Sequence, residues 1–180
     1  MKKIFFVVFL VLGCCMSVSA QKYKEIGDKS YLLEQATAKF ILDVSAATWE
    51  KDEMFKTHFG DEFDEITKIS NEAFIAGFNG NSPKLKIDQT SSNPKYNIVF
   101  KVANLFQRKG WGPYGRMILK VWGRIDVIDT NTLKNVYSVK LDGALGHADF
   151  KTTDRFSKLF MEVAKQFVVR KSSVKKENGL

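Results

Sequence analysis

Hydrophobic positions along the chain change their period several times, and each change marks an element. From Thr37 to Trp49 the run holds neither Gly nor Pro, and Phe40, Leu42 and Val44 share one face at period two, which predicts a strand. Residues 51–59 are charged and irregular. From Asp61 onward the steps become three and four: Phe63, Ile66, Ile69, Ala73, Phe74, Gly77 and Phe78 form a stripe, with Glu62, Asp64, Glu65 and Lys68 in the gaps. That is an amphipathic helix whose acidic first turn suits the positive end of its dipole. Asn79-Gly80-Asn81-Ser82-Pro83 ends it. A short strand is expected from Lys84 to Ile87, and Asp88 to Pro94 is turn chemistry.

Three alternating strands follow. Tyr96, Ile98, Phe100 and Val102 alternate with Asn97, Val99, Lys101 and Ala103. Met117, Leu119, Val121, Ile125 and Val127 share a second apolar face, and Tyr137, Val139 and Leu141 a third. Asp129-Thr130-Asn131-Thr132 predicts a tight antiparallel hairpin between the last two. Residues 110–115 form a Gly-rich connection, and residues 143–149 a second glycine loop. Phe156, Leu159, Phe160, Val163 and Phe167 make a closing helical stripe after Thr152-Thr153-Asp154, residues suited to an N-cap. The order is β-α-β-β-β-β-α. Two helical stripes need one apolar surface, so the expected fold is α+β: a two-layer sandwich, mainly antiparallel, with both helices on one face of the sheet.

Composition adds an address. Lys2 and Lys3 precede an unbroken apolar run from Ile4 to Leu12, and Val18-Ser19-Ala20 precedes Gln21. This reads as a secretory signal over residues 1–20, cleaved after Ala20. Residues 21–36 read as a polar lead-in, 37–170 as a single domain and 171–180 as a basic tail. A competing reading takes Val11-Leu12-Gly13-Cys14 as a lipidation box, with Cys14 as the lipidated N-terminus of an outer-membrane lipoprotein, although Leu12 is bulky for such a box. Intact mass of the exported chain separates the two. Cleavage after Ala20 removes Cys14 and Cys15, the two cysteines of the sequence. That excludes a disulfide scaffold, a zinc–cysteine site and a cysteine nucleophile.

The strand Y-N-I-V-F-K-V, the hairpin from Ile125 to Gly143 with Asp129-Thr130-Asn131-Thr132 at its turn, and the closing helix together carry a likeness. In element order and in that hairpin the chain resembles the periplasmic and outer-membrane lipoprotein domains of the curli-secretion lipoprotein, of the N-terminal domain of the Tol-system propeller protein, and of the activators of peptidoglycan synthases. The resemblance spans roughly Thr37 to Val169. It implies a cell-envelope binding or assembly role and brings no catalytic residues with it.

Candidate chemistry is sparse. His58 and His147 lie far apart with no short metal-ligand spacing, so ordinary loop histidines are expected and no metal or other cofactor. Asp61, Glu62, Asp64 and Glu65 lack the alternation and central Gly of a calcium loop and read as an acidic helix start. The loop around Gly110, Gly112 and Gly115 leads into a strand, not a helix, so it is no phosphate cradle. Alternation supplies the best candidate. If Met117, Leu119 and Val121 face the core, then Lys120, Trp122 and Arg124 face away, joined by Lys101 and Lys140 on neighbouring strands, with Trp111 and Tyr114 at one end. Indole and phenol rings stack on sugars, and Lys and Arg attract carboxylate or phosphate. The plainer reading is a solvated sheet face.

The expected function is that of a non-enzymatic, exported bacterial envelope protein, periplasmic or secreted, that binds another envelope protein or an anionic glycan. One alternative is a secreted hydrolase built around His147 and Asp149. Another is a homo-oligomeric structural subunit, because exposed meander edges invite strand pairing. Nucleic acid is set aside because an exported protein seldom meets it. Membrane contact is expected only through a lipid anchor at Cys14.

Overall fold

The helical stripes and the alternating strands meet on one side of an eight-stranded mixed sheet that does not close into a barrel. The computed structural model describes residues 24–50, 52–109, 117–147 and 151–169. The strands are β1 (Lys24–Gly27), β2 (Thr37–Asp43), β3 (Thr48–Trp49), β4 (Glu53–Met54), β5 (Lys86–Ile87), β6 (Tyr96–Lys109), β7 (Met117–Asp129) and β8 (Asn135–His147). The helices are α1 (Phe55–Phe59), α2 (Phe63–Asn81) and α3 (Thr152–Val169), with 3-10 turns at Ser30–Leu33 and Gly60–Glu62. This is the expected α+β arrangement, with α2 and α3 on one face. The main path through the sheet runs β1-β8-β7-β6-β2-β5. The first three junctions are antiparallel and the last two parallel. Helix α2 lies between β2 and β5 in the chain and is the crossover that this parallel pair requires.

Aromatic rings fill the space between the layers. Phe40 of β2 stacks on Phe74 of α2 at 4.0 Å and nearly parallel. Phe74 also meets Phe100 and Phe167, and Phe100 meets Phe160. Phe74, Phe100 and Phe160 are buried. A second aromatic group joins Trp49, Phe55, Phe59 and Phe156 under α1.

Several boundaries differ from expectation, each for a local reason. Residues 24–33 are more than a lead-in: β1 pairs antiparallel with β8, and Tyr31 and Leu32 enter the core. The region read as irregular before Asp61 contains β4 and α1, where Phe55 provides the buried anchor. His58 belongs to α1, not to a loop. It stacks on Trp49 at 5.0 Å and meets Glu53 Oε2 at 2.8 Å. Asp61 and Glu62 lie in the 3-10 turn, so Asp64 and Glu65 form the acidic first turn of α2. Helix α3 begins at Thr152, which places Asp154 inside its first turn. The expected strand from Lys84 shrinks to Lys86–Ile87.

Both edges of the meander are covered, β8 by β1 and β6 by β2 and β3. The strand-pairing motive for an oligomer therefore does not hold at β6 and β8. Side-chain amides extend the parallel flank. Gln89 accepts from Phe40 N at 3.0 Å and donates to Phe40 O at 2.8 Å, as a neighbouring strand would. Asn79 does the same for Ile87.

The β7–β8 hairpin forms as its sequence suggested. Asp129 Oδ1 accepts from the backbone amides of Asn131 and Thr132, at 3.0 and 2.8 Å, and from the Thr132 hydroxyl. The Thr132 amide is the main cause that holds the Asp129 carboxyl below its ordinary value. A carboxylate with a depressed folded pKa contributes stability above its unfolded pKa of about 3.9 and loses it as pH falls through the folded value. Asp129→Ala should therefore melt below wild type at pH 7, and the gap should close as the pH falls below about 4. Melting curves across that range check it. A gap independent of pH would mean that the carboxylate's charge plays no part.

Candidate basic and aromatic face

The face of the sheet opposite the helices carries the charge. In β7 the odd positions Leu119, Val121, Ile125 and Val127 are all buried, so parity runs unbroken through Gly123 and the even positions face away. The neighbouring strands, not β7, absorb the irregularity. The register with β6 shifts between Val102 and Asn104, which leaves Ala103 as the extra residue. The register with β8 shifts beside Gly123, where Val121 faces Ala144 and Gly123 faces Leu141. Two bulges thus flank one glycine. A Cβ on Gly123 would lie 2.4 Å from the Lys101 carbonyl oxygen and 2.9 Å from Phe100 Cε2. Only a residue without a side chain lets β6 approach there.

Lys101 stands directly opposite Arg124, and Arg124 directly opposite Lys140. Three cations therefore lie side by side across three strands, at the strand spacing of about 4.8 Å. The register continues to Lys24 in β1 at one end and to Asp43 in β2 at the other. Lys101 and Lys140 are exposed, and the Arg124 side chain is 55% exposed. The Asp43 carboxyl sits below its ordinary value, first through hydrogen bonds from Ser45 and to a lesser degree through the field of Lys101.

Arg124 is held in place by its neighbours. Its Nε donates to Asp126 Oδ1 at 2.6 Å and to Ser138 Oγ at 2.9 Å. Asp126 Oδ1 also accepts from Ser138 Oγ at 2.6 Å and from Asn135 Nδ2 at 3.0 Å. Asp126 is buried despite pointing away from the helices, because these partners cover it. Trp122 is fixed as well. Its Nε1 donates to Asp142 Oδ1 at 3.0 Å, and its ring lies against Gly143, where an added Cβ would sit 3.1 Å from Cζ2. Gly143 has φ +73°, a conformation that glycine adopts without steric cost.

These groups border one open trough of about 770 Å³. Lys101, Arg124 and Lys140 lie along one side, and Asn104, Phe106 and Trp122 along the other, with Ala103 and Gly123 between. Of the residues expected from the sequence, Lys101, Trp122, Arg124 and Lys140 come together here. Lys120 shares their face of β7 and stands opposite Phe106, but it does not line the trough. Trp111, Tyr114 and Asp149 lie outside the described residues, and of the hydrolase alternative only the backbone of His147 is described. The sequence reading missed Asn104 and Phe106. Its period-two rule, carried past Val102, would bury both. The Ala103 bulge instead turns Leu105 inward and Phe106 toward the trough. Among the described residues no group of three or more His, Cys, Asp or Glu side chains could hold a metal ion, and no helix is long and apolar enough to cross a membrane.

No family model matches the chain, and no curated protein matches it. Solved structures give distant likenesses. The PelC dodecamer from Paraburkholderia phytofirmans is 16% identical, with a TM-score of 0.43, and the match covers 80% of this chain and 96% of that one. A single-substitution variant of the same dodecamer gives 14% identity and 0.42, covering 83% and 98%. Protein XCC0632 from Xanthomonas campestris gives 7% identity and 0.36, covering 82% and 90%. None of these three is named as a curli-secretion or Tol-type domain. Likenesses this distant carry no argument about ligand, partner or assembly.

Proposed function

We propose that this chain is a non-enzymatic binding module of the bacterial cell envelope that takes an anionic partner, a glycan or another envelope protein, in the trough on its open face. The supporting observation is the lateral row Lys101–Arg124–Lys140. Like charges directly opposite on paired strands disfavour the fold. Asp126 offsets Arg124 alone, so the flanking Lys101 and Lys140 still make such a row a poor choice for a face that only meets water, and a good one for a face that meets an anion. Trp122 and Phe106 beside the row add ring surfaces suited to sugars.

The test reverses the ends of the row. Lys101→Glu with Lys140→Glu would set Glu–Arg–Glu across the strands, and opposite-charge cross-strand pairs contribute roughly 0.2–1 kcal/mol each. These pairs offset the loss of Lys101 beside Asp43, so the double variant should melt close to wild type while losing retention on immobilised anionic glycans and anionic envelope proteins. Arg124 is left intact because reversing it would set a second carboxylate against buried Asp126. Unchanged retention alongside an unchanged melt would assign the face to solvation alone. Added salt should weaken retention of the wild type by screening.

A further inference from the structure

Resting on that reading, we propose that the ligand is a linear acidic polysaccharide with one carboxylate per sugar, a polyuronate, laid across the strands along the cation row. Three features of the face select this chemistry. The first is linearity. The backbone positions of Lys101, Arg124 and Lys140 repeat across the sheet at the strand spacing of about 4.8 Å, a row and not a ring around one phosphate or carboxylate. A ligand that engages all of them must repeat its own charge at a similar interval and run perpendicular to the strands. An extended chain of acidic hexoses carries one carboxylate on each successive sugar, and the long Lys101 and Lys140 stems can reach carboxylates that turn to alternate edges of the chain.

The second feature is what stands beside the row. Trp122 is immobilised by its bond to Asp142 and by contact with Gly143, so its ring is already placed before anything binds. Preorganisation of this kind lowers the ordering cost of association. Ala103, a small and exposed residue, lies between the cations and the rings. A sugar backbone can lie there with its acid groups toward the cations and its ring faces toward Trp122 and Phe106.

The third feature is extent. The trough is open, and the register continues past Lys140 to Lys24 of β1. At the other end the row stops at Asp43, a carboxylate that rejects further acid groups. The row therefore offers three cationic positions, Lys101, Arg124 and Lys140, and one closed end, which predicts a minimum ligand length and not merely a preference for negative charge.

The experiment is a length series. Oligogalacturonates of one to eight sugars are titrated calorimetrically into the chain at low and at moderate salt. Affinity should rise steeply up to about three sugars and then level off, because further sugars meet no further cations. Lys101→Glu with Lys140→Glu should lower the affinity of the four-sugar ligand at least a hundredfold. Lys68→Glu with Lys165→Glu, an equal charge change on the helical side, should leave it within twofold. If the glutamate pair fails to fold, Lys101→Gln with Lys140→Gln provides the same comparison with a smaller expected loss, about tenfold.

Affinity that does not depend on length would overturn the linear mode. Equal affinity for single-stranded oligonucleotides or polyphosphate of matched charge would overturn the assignment to a polyuronate. Failure of every uronate, while the glutamate pair still abolishes capture of some other anionic partner, would overturn this inference and leave the proposed function standing. Undiminished uronate binding by the glutamate pair would remove both.

Discussion

Phe74→Ala is expected to lower the free energy of unfolding by about 3–5 kcal/mol, the range for large-to-small changes at buried aromatic positions. Phe74 is fully buried, stacks on Phe40, and touches Phe100 of the sheet and Phe167 of α3. It therefore joins both helices to the sheet, and its removal leaves a void bounded by rigid rings that cannot collapse to fill it. Phe160→Ala should cost a similar amount, since Phe160 is buried against Phe100. Chemical denaturation measures both. A shift below about 1 kcal/mol at either position would mean that its stripe does not hold the two layers together.

Gly123→Val should be nearly as damaging, by an opposite mechanism. The added atoms would collide with the Lys101 carbonyl and the Phe100 ring, and the first of these is backbone that cannot swing away. Overpacking of this kind costs about 1–3 kcal/mol and occasionally more; the upper end is expected because relief requires β6 to separate from β7. The change would also move Lys101 away from Arg124. Lower stability together with weaker anion binding is thus the expected pair of results. A melt like that of wild type would show that the strand approach at Gly123 is slack, and the geometry of the trough would need revision.

How much of this was legible in the sequence depended on how long each pattern ran. The meander and both main helices were readable because each repeats its period over many residues, so that one exception, such as Gly123, does not break the phase. Strand β1 was not, because K-E-I-G offers one apolar residue and no alternation to follow. Its pairing with β8 is a property of the folded chain. The cation row was legible because Lys101, Arg124 and Lys140 each sit on the polar phase of a clean alternation. Their exact lateral register was not, since it depends on how three strands slide against one another. Phe106 was hidden by the Ala103 bulge, which reverses phase within β6 while the letters V-A-N-L-F give no warning. Asp126 lies on the polar phase of β7, and only the folded hairpin brings Ser138 and Asn135 over it.

The covering of the meander by β1 and β2 also sets an order of assembly. Strands β6, β7 and β8 pair with sequence neighbours, so they can close early from short loops. Strand β1 pairs with β8 from the opposite end of the domain, on the order of a hundred residues away, and loop closure grows slower and costlier with that separation. As the chain emerges N-terminus first, β1 must wait for nearly the whole domain to appear before it has a partner. Native-state hydrogen exchange should register the same asymmetry, with β1 amides opening well below the global unfolding free energy and those of central β7 opening only with it; equal protection of both would show that the edge is welded to the sheet. The β1 edge beside Lys140 would then be the part of the sheet that completes last on folding and frays first in the folded protein.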